Sequence, residues 1–199
     1  DVANGRLLRT LPLGIPPLAL APALDRQGVY VLQGDGTLVF VAGSGTGISR
    51  LATPDTTAQL GAVTAGVAAA TKDGTLHLLA KDGTVLATVA AHPGPLHHLA
   101  VSPQGDVVVT AGMDQTLALW RVEPAALTLL SRLPSDLTAL SFAGHAGRLA
   151  VGDRAGLVRL VDSRDGQVIH TWRLTDAVAA LALTSTALHA VARSGTWQS

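Results

Sequence analysis

A chain of 199 residues, 48% hydrophobic and 14% charged, is long enough to bury a sizeable core and too apolar to be disordered. Fourteen basic residues balance fourteen acidic ones, which argues against nucleic acid or an acidic membrane surface as the main partner. The lack of cysteine excludes a disulfide framework, a thiolate metal site and a thiol nucleophile, and three Trp, one Tyr and two Phe are too few for an extended sugar- or base-stacking surface.

The chain opens at Asp1 and its one methionine is Met113, so the initiator is expected to have been removed, by a signal peptidase or by other trimming. The compartment stays open, with periplasmic or secreted as the leaning and the cytoplasm as the alternative. Two lysines against twelve arginines fit a bacterial source. No apolar run approaches the ~20 residues of a membrane span, because Gly, Pro, Asp or Arg interrupts each one. From residue 18 onward the chain reads as short apolar runs separated by turns. Leu18–Leu20 leads to Val29–Leu32, then to the turn Asp35-Gly36-Thr37 and to Leu38–Val41. Val67–Ala70 precedes Asp73-Gly74-Thr75, Val107–Thr110 precedes Asp114-Gln115-Thr116, Leu149–Val151 precedes Ala155-Gly156-Leu157, and Leu188–Val191 precedes Ser194-Gly195-Thr196. Asp-Gly between two β-rich runs makes a tight hairpin turn because glycine adopts positive φ without steric cost. The steps from Thr37 to Thr75, Thr116, Leu157 and Thr196 are 38, 41, 41 and 39 residues. A second turn follows in each period, at Asn4-Gly5, Thr46-Gly47, Asp82-Gly83 and Asp165-Gly166, and the Gly-rich Gly43–Gly47 belongs to it. The Ala-rich stretch 177–182 is the nearest approach to a helical pattern, and its place in the repeat makes it a strand. Each period therefore holds four short antiparallel strands, the content of a propeller blade, and one such blade must stack on neighbours to hide both apolar faces.

The third repeat, from His92-Pro-Gly-Pro-Leu96-His-His-Leu99 through Thr110, Asp114, Thr116 and Trp120, resembles a WD-repeat blade. In that family a His, a Ser/Thr, an Asp and a Trp form a hydrogen-bonded structural tetrad, and His92, Thr110, Asp114 and Trp120 fall on its positions. Arg121 replaces the family's closing Asp. The other repeats keep pieces: Asp35 and Asp73 hold the turn carboxylate, but Val41 and Leu79 stand where the Trp would be. Blade four keeps Arg159-Leu-Val-Asp162 and loses the turn Asp to Ala155. The resemblance implies an all-β, five-bladed propeller in one domain over 1–199. Its blades run over about 11–52, 53–90, 91–133, 134–174, and 175–199 together with 1–10. Residues 1–10 match 162–171, so an N-terminal outer strand is expected to pair with the C-terminal blade. The alternative is a fragment of a larger ring, since the family more often has seven blades.

Two sets of residues are candidates for a top-face binding site. The resemblance implies that His97 and His98 face the channel mouth at the inner strand, where their counterparts are the small or rigid Pro16-Pro17, Thr138-Ala139 and Ala179-Ala180. The residue before each rim turn, the series Gly34, Lys72, Met113, Arg154 and Arg193, supplies three cations around one rim and suits an acidic partner. His145 and His170 read as surface residues. No paired inward carboxylates, Gly-x-Ser-x-Gly or phosphate loop occurs, so no catalytic residue is assigned. The expectation is a non-enzymatic scaffold without cofactor, metal, nucleic acid or membrane insertion, which binds a protein or peptide through Lys72, His97, His98, Met113, Arg154 and Arg193. The alternative is an accessory subunit or maturation factor with a metal or haem contacting His97 or His98. Adjacent strand residues point to opposite faces, which weighs against both histidines holding one ion.

Overall fold

A computed structural model of the chain describes residues 7, 10–25, 27–43, 48–51, 53–54, 57–144 and 147–198. The fold is all-β, with nineteen strands in five antiparallel sheets and no helix among the described residues. The first sheet holds β1 (Pro17–Pro22), β2 (Gly28–Gln33), β3 (Leu38–Ala42) and β4 (Ile48–Leu51). The second holds β5 (Thr57–Val63), β6 (Gly66–Thr71), β7 (Thr75–Ala80) and β8 (Val85–Ala90). The third is β9 (Leu96–Val101), β10 (Val107–Gly112), β11 (Thr116–Glu123) and β12 (Ala126–Pro134). The fourth is β13 (Leu137–Phe142), β14 (Arg148–Asp153), β15 (Leu157–Asp162) and β16 (Val168–Arg173). The fifth has β17 (Val178–Leu183), β18 (Leu188–Ala192) and β19 (Trp197–Gln198). Strands pair in chain order within each sheet, so every sheet is a meander, and the Ala-rich stretch near 177–182 is indeed a strand. Most of the expected closing strand (1–6, 8 and 9), the turn at 44–47 and His145 lie outside the described residues.

The core lies between sheets. Alternate residues of one strand point to opposite faces, and both faces here are covered, so the second strand of each sheet carries consecutive apolar residues, as in Val29–Leu32, Val67–Ala70, Val107–Val109 and Leu149–Val151. Val108 packs with Val63, Ala68, Leu76 and Leu78 of the second sheet, whereas its neighbours Val107 and Val109 pack with Leu149, Val151 and Val161 of the fourth. Leu32 and Leu38 meet Leu60, Val67 and Leu79 across the first joint, and Val158 and Leu174 meet Val178 and Ala190 across the last. Outer strands carry no such burden, and all six residues of β16 are exposed.

Between the second and third strands a turn of one geometry recurs. Gly36 N–H donates to Gln33 O, Gly74 to Thr71 O, Gly156 to Asp153 O and Gly195 to Ala192 O. The third repeat places Gln115 there, with φ of 56°, which is the one positive φ at a non-glycine among the described residues. A side chain in that region costs roughly 1–2 kcal/mol, part of which is regained because glycine loses more entropy on folding. Gln115→Gly is therefore expected to stabilise the protein by about 0.5–1 kcal/mol, raising the thermal midpoint by a few degrees. Calorimetry checks this, and an unchanged or lowered midpoint contradicts it.

A second recurrent feature is a bulge near the start of every inner strand. Pairing skips one residue between Pro17 and Ala19, Thr57 and Gln59, Leu137 and Ala139, and Val178 and Ala180, and β9 skips His97 between Leu96 and His98. The extra residue breaks the alternation locally. This register makes Leu18-Ala19 the first-sheet counterpart of His97-His98, correcting the expectation of Pro16-Pro17.

Candidate functional site

The third sheet brings His92, Thr110, Asp114 and Trp120 into one hydrogen-bonded chain. Trp120 Nε1 donates to Thr110 Oγ1 at 2.9 Å, and that hydroxyl lies 2.9 Å from His92 Nε2. His92 Nδ1 is 2.9 and 3.1 Å from the two Asp114 oxygens. A hydroxyl that accepts from the indole and donates to Nε2 leaves the Nδ1 proton for the carboxylate, so one tautomer satisfies every group. The His92 side chain is wholly enclosed, and Thr110 and Trp120 are buried. Burial works against ionisation of Asp114, but hydrogen bonds from the Thr116 hydroxyl, His92 and the Thr116 N–H outweigh it and hold the carboxyl below the usual carboxylate value. Two further members join. Thr116 Oγ1 donates to Asp114 Oδ2 at 2.8 Å, and Arg132 from β12 donates to Thr116 Oγ1 at 3.0 Å and to Ala91 O at 2.6 Å. All the carboxylate's partners lie within its own blade and the connection leading into it. The cluster clamps β12, the rim turn and the connection between the second and third blades.

Other blades satisfy the same turn differently. In the second, the Thr71 hydroxyl donates to Asp73, which also accepts the Thr75 N–H, and these bonds hold the Asp73 carboxyl low. The fourth blade corrects the expectation that its turn has lost its carboxylate. Asp153, two residues before Ala155, accepts the backbone N–H groups of Ala155 (3.0 Å) and Leu157 (2.9 Å) through Oδ1, while Oδ2 receives Arg159 Nη1 at 3.2 Å. Asp153 is 4% exposed, so this ion pair takes the place of the tetrad.

Above these turns lies the rim. The N–H groups of Gly34, Met113, Arg154 and Arg193 donate to Pro16, Pro95, Asp136 and Ala177, each on the segment entering the inner strand of the same blade, which makes the four positions equivalent. Lys72, Met113, Arg154 and Arg193 are exposed, Met113 at 61% of its surface. Arg154 is not a free cation, however: its Nε donates to Asp136 Oδ2 at 2.7 Å. The positive character of the rim thus rests on Lys72 and Arg193.

His97 and His98 open at the same end of the molecule, since Leu96 pairs with Gly112 and Met113 is bonded to Pro95. The bulge exposes both, which removes the alternation argument against their acting together. Among the described residues, though, no three His, Asp or Glu side chains converge on one point. Beside His98, a cleft of about 240 Å³ separates the inner strands of blades three and four, lined by Leu99, Ala111, Leu137, Thr138 and Leu140. This apolar slot was not visible in the sequence, because its walls come from residues forty apart.

Residues 83–121 match the family model described as WD domain, G-beta repeat. Among curated proteins no relative matches the chain. Among solved structures, the β-propeller domain of Cps50 (Swd1) from Myceliophteria thermophila superposes with a TM-score of 0.73 at 12% identity, over 98% of this chain and 72% of that one. The chain thus has the fold of a β-propeller and is similar to the WD-repeat family over residues 83–121, the stretch that runs into its third blade.

Proposed function

We propose that this propeller is a non-enzymatic platform that binds an acidic protein segment across its rim. WD-repeat propellers generally mediate protein–protein interaction, and the reading here is specific to one face. The observation that carries it is a juxtaposition. The apolar slot between blades three and four opens beside His98, at the end of the molecule where Lys72, Met113 and Arg193 stand exposed. An aliphatic side chain fills the slot while flanking carboxylates meet the cations, the usual division between a buried anchor and a polar surround. The rigid meanders hold these groups without induced fit, and no bond is made or broken.

Panning a defined random-peptide library against the pure protein tests this. Selected peptides are expected to carry an aliphatic residue flanked by Asp or Glu. Lys72→Glu and Arg193→Glu should each weaken them about fivefold or more at low salt, with less effect at high salt. Asp82→Ala, at the opposite end, should leave affinity unchanged. Binders that ignore the rim variants and are lost in Asp82→Ala overturn the reading.

A further inference from the structure

At the end of the strands opposite the rim, a second cleft of about 290 Å³ lies between the first and second blades. Leu24 and Asp25 from the β1–β2 loop, Tyr30 on β2, Val63 and Thr64 at the β5–β6 hairpin, and Lys81 after β7 form its walls. Tyr30 is 3% exposed, with its ring tilted on Phe40 at 5.0 Å, yet its hydroxyl takes no hydrogen bond among the described residues. The ring is buried while the hydroxyl itself is not among the buried unpartnered atoms, so it opens into the cleft that Tyr30 lines. The one carboxylate of the cleft is already engaged: Asp25 Oδ1 accepts the Gln27 N–H at 3.0 Å and Oδ2 accepts Lys81 Nζ at 2.9 Å, while Thr64 and Gln104 add neutral polar groups to the wall. Two donors on its wall have capacity left, the Tyr30 O–H and the remaining ammonium protons of Lys81. These two are near enough to act on each other's titration. Burial pushes the phenol up, the ammonium pulls it the other way and the Asp25 carboxylate adds to the rise, while pairing with Asp25 raises Lys81, which stays charged.

We propose that this cleft is a second binding site, for a carboxylate on a short aliphatic body, with the carboxylate between the Tyr30 hydroxyl and the Lys81 ammonium and the body against Leu24 and Val63. Charge-assisted donors favour an anion over a neutral carbonyl at the same place. The site is independent of the rim and stands or falls without it.

Tyr30 is the one tyrosine of the chain, so protein labelled with ¹³C-tyrosine reports on the site through a single ring signal. Titration with sodium isobutyrate is expected to shift that signal saturably in the millimolar range. Sodium chloride at matched ionic strength should not, and neutral isobutyramide should bind at least about tenfold more weakly. Lys81→Met, at a side chain 63% exposed and so tolerant of change, should weaken isobutyrate by a similar factor while the rest of the spectrum stays in place. A shift that never saturates, equal saturation by the amide, or undiminished binding in Lys81→Met overturns the proposal.

Discussion

Replacing Thr110 by valine, a change of almost no volume, is expected to cost at least ~2 kcal/mol, and His92→Ala about 3 kcal/mol. Thr110 is completely buried and its hydroxyl is the shared partner of Trp120 Nε1 and His92 Nε2, so valine strands two buried polar groups at once. His92→Ala leaves a cavity and takes from Asp114 the imidazole that faces both its oxygens. Urea unfolding, read as a shift in midpoint at constant slope, measures both. Thr128→Val, on the outer strand where the hydroxyl makes a long, exposed bond, is the control and should stay within ~0.5 kcal/mol. The network also fixes a pH dependence. The Asp114 carboxyl lies below its usual value when folded, so the unfolded chain takes up the proton first as the solution is acidified. Its contribution is complete above the ordinary carboxylate value and is lost as the pH falls through the lower folded one. Asp114→Asn should therefore reduce stability at neutral pH and flatten the acid limb. An acid limb as steep as in the parent protein shows that the stabilisation lies elsewhere.

The repeat was legible because turn chemistry is local. Asp35-Gly36, Asp73-Gly74 and Asp114-Gln115 announce hairpins within three residues, and their spacing alone implies stacked four-stranded sheets. The tetrad was legible for a related reason, since four polar residue types at set positions in an apolar repeat have few other uses. Register was not legible. A one-residue bulge at His97 leaves no mark in composition, yet it exposes two adjacent histidines that strict alternation would separate. Pairings across tens of residues were equally hidden. Arg132 reaches back to Ala91, Asp136 answers Arg154, and Lys81 meets Asp25, each settled by how blades and their edges approach. The rim looked more basic in the sequence than it is, because charges were summed without their neighbours.

The largest effect in the fourth blade is expected at a residue that the repeat pattern passes over. Asp153→Ala should destabilise by about 3 kcal/mol or more, the range found when one partner of a buried ion pair is removed. Two costs combine. The N–H groups of Ala155 and Leu157 lose their acceptor, and the Arg159 guanidinium, 13% exposed, keeps its charge without a counterion. The companions separate them. Asp153→Asn keeps an oxygen for the turn and removes the charge, so it should cost about half as much. Arg159→Leu leaves the buried carboxylate without its counterion, but Asp153 still accepts the two turn N–H groups, so the loss should be smaller than in Asp153→Ala. Because blades interact chiefly with neighbours, the loss should be local as well as global. Amide exchange in β14 and β15 should quicken by roughly 100-fold in Asp153→Ala, and amides of β6 and β7, two blades away, should change far less. Equal acceleration everywhere shows that the sheets unfold as one unit. Loss in Arg159→Leu as large as in Asp153→Ala shows that the pair, and not the turn cap, holds the fourth blade in shape.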